Sequence, residues 1–173
     1  MPVISPDEIS VRLKISPVSA GKEAIKQQER RLHARETFCI DTTFSGRREV
    51  DFLRKAKSRG YDVCLIFVCL PSPLLCQLRV QQRHLAGEHD VPKDDIERRY
   101  YRSLDNLRVC HLEVDKLLAV DNSGRKPRLV LSLNEDQVSY KSKSIPEWLS
   151  SHVTYLGGDL DKQNDSLLPK GPK

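Results

Sequence analysis

The chain has 173 residues, 38% of them hydrophobic, with 29 basic against 24 acidic side chains and a formal charge of +5. That is enough for one domain with a buried core, with or without a tail, and the mild, mixed charge neither forms a polybasic tail nor demands nucleic acid. No apolar run approaches a membrane span and no signal peptide opens the chain, so a cytoplasmic protein without a membrane role is expected. The cysteines Cys39, Cys64, Cys69, Cys76 and Cys110 are odd in number and form no CxxC; reduced, buried thiols are the expectation, with no metal among their roles.

From the amino end, Val3-Ile4 followed by Ser5-Pro6-Asp7-Glu8-Ile9 has two readings. A strand ending at a polar turn places Asp7 at its carboxyl end, where open α/β sheets keep their ligands; alternatively, Ser5 or Asp7 caps a helical turn. Ser19 to Glu36 predicts a polar helix capped by Ser19, with a thin stripe of Ala20, Ala24, Ile25, Leu32 and His33. Its Ala20-Gly21-Lys22-Glu23 is not a phosphate loop, because Ser16 stands at the first glycine position and Glu23 at the hydroxyl position. Thr37 to Thr43 reads as a strand whose apolar Phe38-Cys39-Ile40 ends in Asp41-Thr42-Thr43. Ser45-Gly46-Arg47 opens the next helix, Val50, Leu53 and Ala56 or Lys57 keep its period, and Gly60 ends it. Helix starts attract anions, so Arg47 either holds a phosphate or carboxylate or is simply solvated.

Val63 to Leu70 is continuous in apolar residues, which predicts a central parallel strand buried on both faces. Pro71-Ser72-Pro73 stops it and starts a helix in which Leu74, Leu75 and Leu78 form an apolar side and Arg79 and Arg83 lie one turn apart on another. A tight loop, Gly87-Glu88-His89-Asp90-Val91-Pro92, leads to a second helix with Asp90 as cap, Asp94 and Asp95 at its positive end, and an apolar stripe of Ile96, Tyr100, Ser103, Leu104 and Leu107. Arg98 and Arg102 fall one turn apart on it, with Arg99 beside them. Guanidinium groups thus flank both sides of one loop, and Arg is the side chain best shaped for bidentate contact with phosphate. Leu117 to Val120 predicts a strand ending in Asp121-Asn122-Ser123-Gly124, Pro127 to Leu133 an edge strand, residues 134 to 144 a polar loop, and Ile145 to Leu149 a short helix on the core. Residues 1–155 form the expected domain and 156–173 a disordered tail. Strand–helix alternation predicts an α/β fold, a parallel sheet with helices on both faces, whose polar strand ends converge on one edge.

Several of these segments, in order, resemble the small zeta-toxin-like P-loop kinases, a bacterial group. They are Ser5-Pro6-Asp7-Glu8-Ile9, Ala20-Gly21-Lys22-Glu23-Ala24-Ile25, Ile40 to Gly46, Leu70-Pro71-Ser72-Pro73, Gly87 to Pro92 with Arg98-Arg99-Tyr100 and Ser103, and Asp121-Asn122-Ser123-Gly124. The resemblance covers residues 1–135 and implies a P-loop kinase-like sheet, a helical Arg-bearing lid, ATP with Mg2+, and phosphotransfer to a hydroxyl of a small molecule. In zeta toxins proper that acceptor is a UDP-amino sugar and the partner is a small antitoxin protein. The resemblance makes Asp7 the base that accepts the hydroxyl proton. It sets Asp41, Thr43 and Arg47 along the acceptor, Arg83, Arg98 and Arg99 on the phosphates, and Asn122 near the adenine. Two departures accompany it. Asp41 stands where the pattern has Glu, and the glycine-rich phosphate loop that should precede Ser5 is not in these 173 residues. The expectation is therefore an N-terminally truncated kinase, inactive as it stands. The alternatives are a non-catalytic short relative that binds a partner protein or nucleotide sugar, and a nucleic-acid-binding domain built on the Arg-rich hairpin, for which no motif is present.

Overall fold

Two parallel strands of two residues each open the architecture, Val3 opposite Cys39 and Ile4 opposite Ile40. The computed structural model describes residues 1–85, 91–110, 113–135 and 137–156, and the chain divides into two compact units, Met1–Thr43 and Phe44–Lys173. The first unit contains β1 (Val3–Ile4), α1 (Pro6–Leu13), α2 (Pro17–His33) and β2 (Cys39–Ile40). Both readings of its first turn hold in part: β1 ends at Ile4, and the next residue, Ser5, is the N-cap of α1, with Asp7 and Glu8 in the first turn. α2 starts earlier than its apolar stripe suggests. Ser16, not Ser19, is its cap, and the Ser16 hydroxyl accepts from the Ser19 backbone N–H at 3.2 Å. The cause is Pro17, whose fixed φ and missing N–H suit the first helical position. The buried side of α2 is Ala20, Ala24, Gln28 and Leu32; Ile25 and His33 are exposed. Ile4, Ile9, Ala20 and Ala24 form one core, with Ile15 and Phe38 packed against it.

The second unit contains α3 (Arg47–Ser58), β3 (Cys64–Cys69), α4 (Pro73–Leu85), α5 (Lys93–Cys110), β4 (Lys116–Asp121), β5 (Arg128–Asn134), β6 (Gln137–Lys141) and α6 (Glu147–Leu156). The sheet order is β3-β4-β5-β6. α4 and α5 form the long crossover that parallel pairing of β3 with β4 requires, in register from Cys64↔Lys116 to Cys69↔Asp121. β4–β5 and β5–β6 are antiparallel. The fold is therefore mixed α/β. The expected parallel sheet is corrected in part: among the described residues parallel pairing occurs in β1–β2 and β3–β4, and short connections after β4 return the chain antiparallel.

Three further readings change. Residues 134–144 are not a loop, since β6 forms there and the Ser139 hydroxyl donates to the Ser132 hydroxyl at 2.8 Å. β5 consequently is not an edge strand. Val130, Leu131, Ser132 and Leu133 are all buried, so it is the strand covered on both faces. β3 is not central: among the described residues it pairs with β4 alone, Phe67 and Cys69 are buried, and Ile66 and Val68 are 59% and 55% exposed. The leucines of α4 follow suit, since Leu74, Leu75 and Leu78 are exposed and the helix has no buried residue. α5 obeys its pattern, burying Ile96, Tyr100, Ser103, Leu104 and Leu107. α6 starts one residue before Trp148 and Leu149, both buried, with Phe67 and Trp148 ring centroids 6.0 Å apart. Of the expected tail, residue 156 is the last of α6, and residues 157–173, like most of the hairpin loop including Asp90, lie outside the described residues. No described helix is long and apolar enough to cross a membrane. Burial holds for two of the thiols: it pushes Cys69 and Cys110 up to about 12, while Cys64 is exposed and Cys39 and Cys76 are half-buried.

Candidate functional site

In the first unit the parallel strands end side by side and their ends carry the polar groups. The Asp41 backbone N–H donates to the Ile4 carbonyl at 3.0 Å, which extends the pairing by one step and brings Asp41 beside Ser5. The buried Ser5 hydroxyl, which makes no cap bond to its own helix, donates to Asp41 Oδ2 at 3.0 Å. A serine between strand and helix thus fixes the carboxylate of the neighbouring strand. Asp41 itself is exposed and has a second oxygen with which to accept from a ligand hydroxyl. Asp7 lies exposed in the first turn of α1, and the exposed Thr43 closes the unit.

In the second unit a hollow of about 560 Å³ lies beside the start of α3, where Ser45, Gly46 and Arg47 meet Arg102 and Asn106 of α5. Asn106 builds it. Its side-chain amide donates to the carbonyls of Phe44 at 2.9 Å and Gly46 at 3.0 Å, which ties the segment before α3 to α5. Phe44 adopts φ 51°, a left-handed conformation costly for a bulky residue, and burial against Phe67 holds it there. The Glu49 carboxylate folds back against Gly46, over the positive end of α3, in the space a Cβ at position 46 would take.

The arginine hairpin is tied to one acid. Asp95, in the first turn of α5, pairs with Arg98 at 2.8 Å and Arg99 at 3.9 Å; Arg83 is exposed on α4. Arg79 turns inward and donates to the Asn122 carbonyl at 2.5 Å. The Asn122 N–H donates to the Cys69 carbonyl at 2.9 Å, so the end of β4 is anchored to both β3 and α4. Asp121 beside it is buried, which by itself raises its carboxyl, but bonds from Ser123 and Arg128 outweigh burial and hold it below the usual aspartate range.

Of the residues expected to act, the structure brings Asp41 to Ser5, with Asp7 on the helix that Ser5 caps, and gathers Arg98 and Arg99 on Asp95. Arg47 shares its hollow with Arg102 and Asn106, which the expected site omits. The missed signal was the Arg102–Asn106 spacing, one helical turn on the side of α5 away from its apolar stripe. The sequence has no Gly-x-x-x-x-Gly-Lys-Ser/Thr, and among the described residues no three His, Cys, Asp or Glu side chains gather as a metal site. No protein-family model, curated protein or solved structure matches the chain.

Proposed function

We propose that the chain carries the acceptor side and the arginine helices of a zeta-toxin-like kinase, and that these 173 residues bind the acceptor without transferring phosphate to it. The acceptor class is a small molecule with a reactive hydroxyl on a nucleotide, such as a UDP-amino sugar. Asp41 and Thr43 take its hydroxyl groups, and Asp7 stands as the base for the hydroxyl proton. Arg47 lines the acceptor with them, Arg83, Arg98 and Arg99 serve phosphate oxygens, and Asn122 serves the nucleotide near its adenine. The observation that carries this reading is the Ser5–Asp41 bond at 3.0 Å across the carboxyl ends of two parallel strands, the edge at which α/β sheets hold ligands. A kinase of the P-loop type needs a glycine-rich cradle for the transferring phosphate, and none is encoded here, so transfer is not expected from this chain. A small antitoxin protein is the partner that the same reading implies.

The test is calorimetric titration with UDP-N-acetylglucosamine. Binding is expected, and Asp41→Ala should weaken it about tenfold, the size of one lost charge-assisted hydrogen bond, measured well below a melt that falls because the buried Ser5 hydroxyl loses its acceptor. Absence of binding at millimolar sugar nucleotide, or equal affinity in Asp41→Ala, rejects the acceptor assignment. Magnesium-dependent ATP turnover by the purified chain would reject the binding-only part.

A further inference from the structure

The hollow beside α3 is lined by two arginines that make no ion pair among the described residues. Arg47 and Arg102 line it, both exposed, and neither makes an ion pair or hydrogen bond among the described residues. The other charged groups on its walls are engaged. Arg54 pairs with Glu113 at 2.8 Å and Asp51 at 3.6 Å, and Asp105 pairs with Arg108 at 3.7 Å. Arg47 and Arg102 are thus the lining arginines without a carboxylate of their own, and the three arginines of the lining outnumber its two aspartates by one. The positive end of α3 is not the source, since the Glu49 carboxylate already lies over Gly46.

The frame around the two arginines is held in place. Asn106 bonds two carbonyls of the entering segment, and the buried ring of Phe44 anchors that segment from below. Val50 and Val109 add apolar wall, so the hollow combines a fixed rim, an apolar surface and two free guanidinium forks. Its volume of about 560 Å³ falls in the range of small-molecule sites. A planar guanidinium matches the oxygens of a phosphate, and two such groups suit a diphosphate better than a single carboxylate.

We infer that this hollow binds a small ligand bearing a phosphate or diphosphate, held by Arg47 and Arg102 and framed by Asn106. The inference concerns anion capture within the second unit and stands whether or not Asp41 binds an acceptor hydroxyl. Binding is electrostatic at an exposed site, so it weakens as salt rises.

The probe is inorganic pyrophosphate, titrated into the isotope-labelled chain at low ionic strength and followed by NMR of backbone and arginine side-chain N–H groups. Shifts are expected at residues 44–47 and 102–106. Arg47→Ala and Arg102→Ala should each reduce affinity about tenfold with an unchanged melt, because each removes charge-assisted hydrogen bonds to phosphate. Lys93→Ala removes an equal charge from the start of the same helix, outside the hollow, and should leave affinity nearly intact. No binding at millimolar pyrophosphate overturns the inference. So do shifts centred elsewhere, equal affinity in the Arg47→Ala/Arg102→Ala double variant, or an equal loss in Lys93→Ala.

Discussion

The two outer strands of the four-stranded sheet, β3 and β6, are built on opposite principles. β6 is a strand made for an edge: Gln137, Ser139 and Lys141 are polar, the pairing with β5 has a register shift at Ser132/Leu133, and nearly every residue is exposed. Charge, irregularity and short length are the features that keep an edge from pairing with another chain. β3 has none of them. Cys64-Leu65-Ile66-Phe67-Val68-Cys69 contains no charge and no proline, and its pairing with β4 runs without a shift. Its composition is that of a parallel strand covered on both faces, yet Ile66 and Val68 are open. Position in a sheet and composition for that position are separate properties, and β3 is where they disagree.

The largest expected effect follows from that disagreement. The purified chain should self-associate through β3, and Ile66→Lys/Val68→Lys should convert it to a monomer by placing two charges on the open face. Tyr140→Lys on β6 is the matched control and should leave the association unchanged. Sedimentation velocity over a concentration series reads all three. A monodisperse, cooperatively melting wild-type monomer would break the comparison, since β3 would then be as inert as β6.

A smaller effect sharpens it through the residue that pins the start of β3. The Asp115 carboxylate accepts from the Val63 backbone N–H at 2.7 Å and pairs with Lys57, while its own N–H donates to the Val63 carbonyl at 2.8 Å. The Lys57 bond, then the Val63 bond, holds the Asp115 carboxyl below the usual aspartate range. A carboxyl lowered in the folded state stabilises the fold above the ordinary value of about 4, and that contribution is lost as pH falls through the lowered value. Thermal stability should therefore drop on acidification below about pH 4. Asp115→Asn should cost about 1–3 kcal/mol at neutral pH, the range for hydrogen bonds to a charged group, and should flatten the acid limb. Amide exchange should localise the loss to Val63 and β3 and spare β6; an equal rise in exchange across β6 would contradict the pinning role.

The same contrast explains what the sequence made legible. The α5 stripe could be read because its period of buried residues is helical from Ile96 to Leu107. β3 could be read as a strand because its apolar run is unbroken, but not where it sits, since composition records what a strand is fit to touch and not what touches it. β6 was illegible for the complementary reason. A polar, exposed edge strand has the same letters as a loop, and only pairing with β5 distinguishes them. Hiding β6 also hid the burial of β5. In the candidate site, Asp41 was legible as a strand-end carboxylate, whereas its Ser5 partner needs the parallel register that brings residues 36 apart together. Asn106 needs the tertiary approach of Phe44 and Gly46, which no local spacing encodes.

The smallest expected effect concerns the hairpin arginines, whose charge the contrast between an exposed and a buried role also governs. Arg98 pairs with Asp95 at 2.8 Å across one helical turn, and its side chain is 53% exposed. An exposed pair of this kind contributes only a few tenths of a kcal/mol, because water screens it and ordering two long side chains costs entropy. Arg98→Ala should therefore change stability by no more than about 0.5 kcal/mol. Arg99, 3.9 Å from the same carboxylate, should matter still less. Chemical denaturation of the two single variants and of Asp95→Ala measures this directly. If either arginine costs much more than the pair can supply, it is holding α5 in place and is not free to leave Asp95 for a phosphate. If both changes are near neutral, Asp95 is a resting partner that an incoming anion displaces at little cost to the fold.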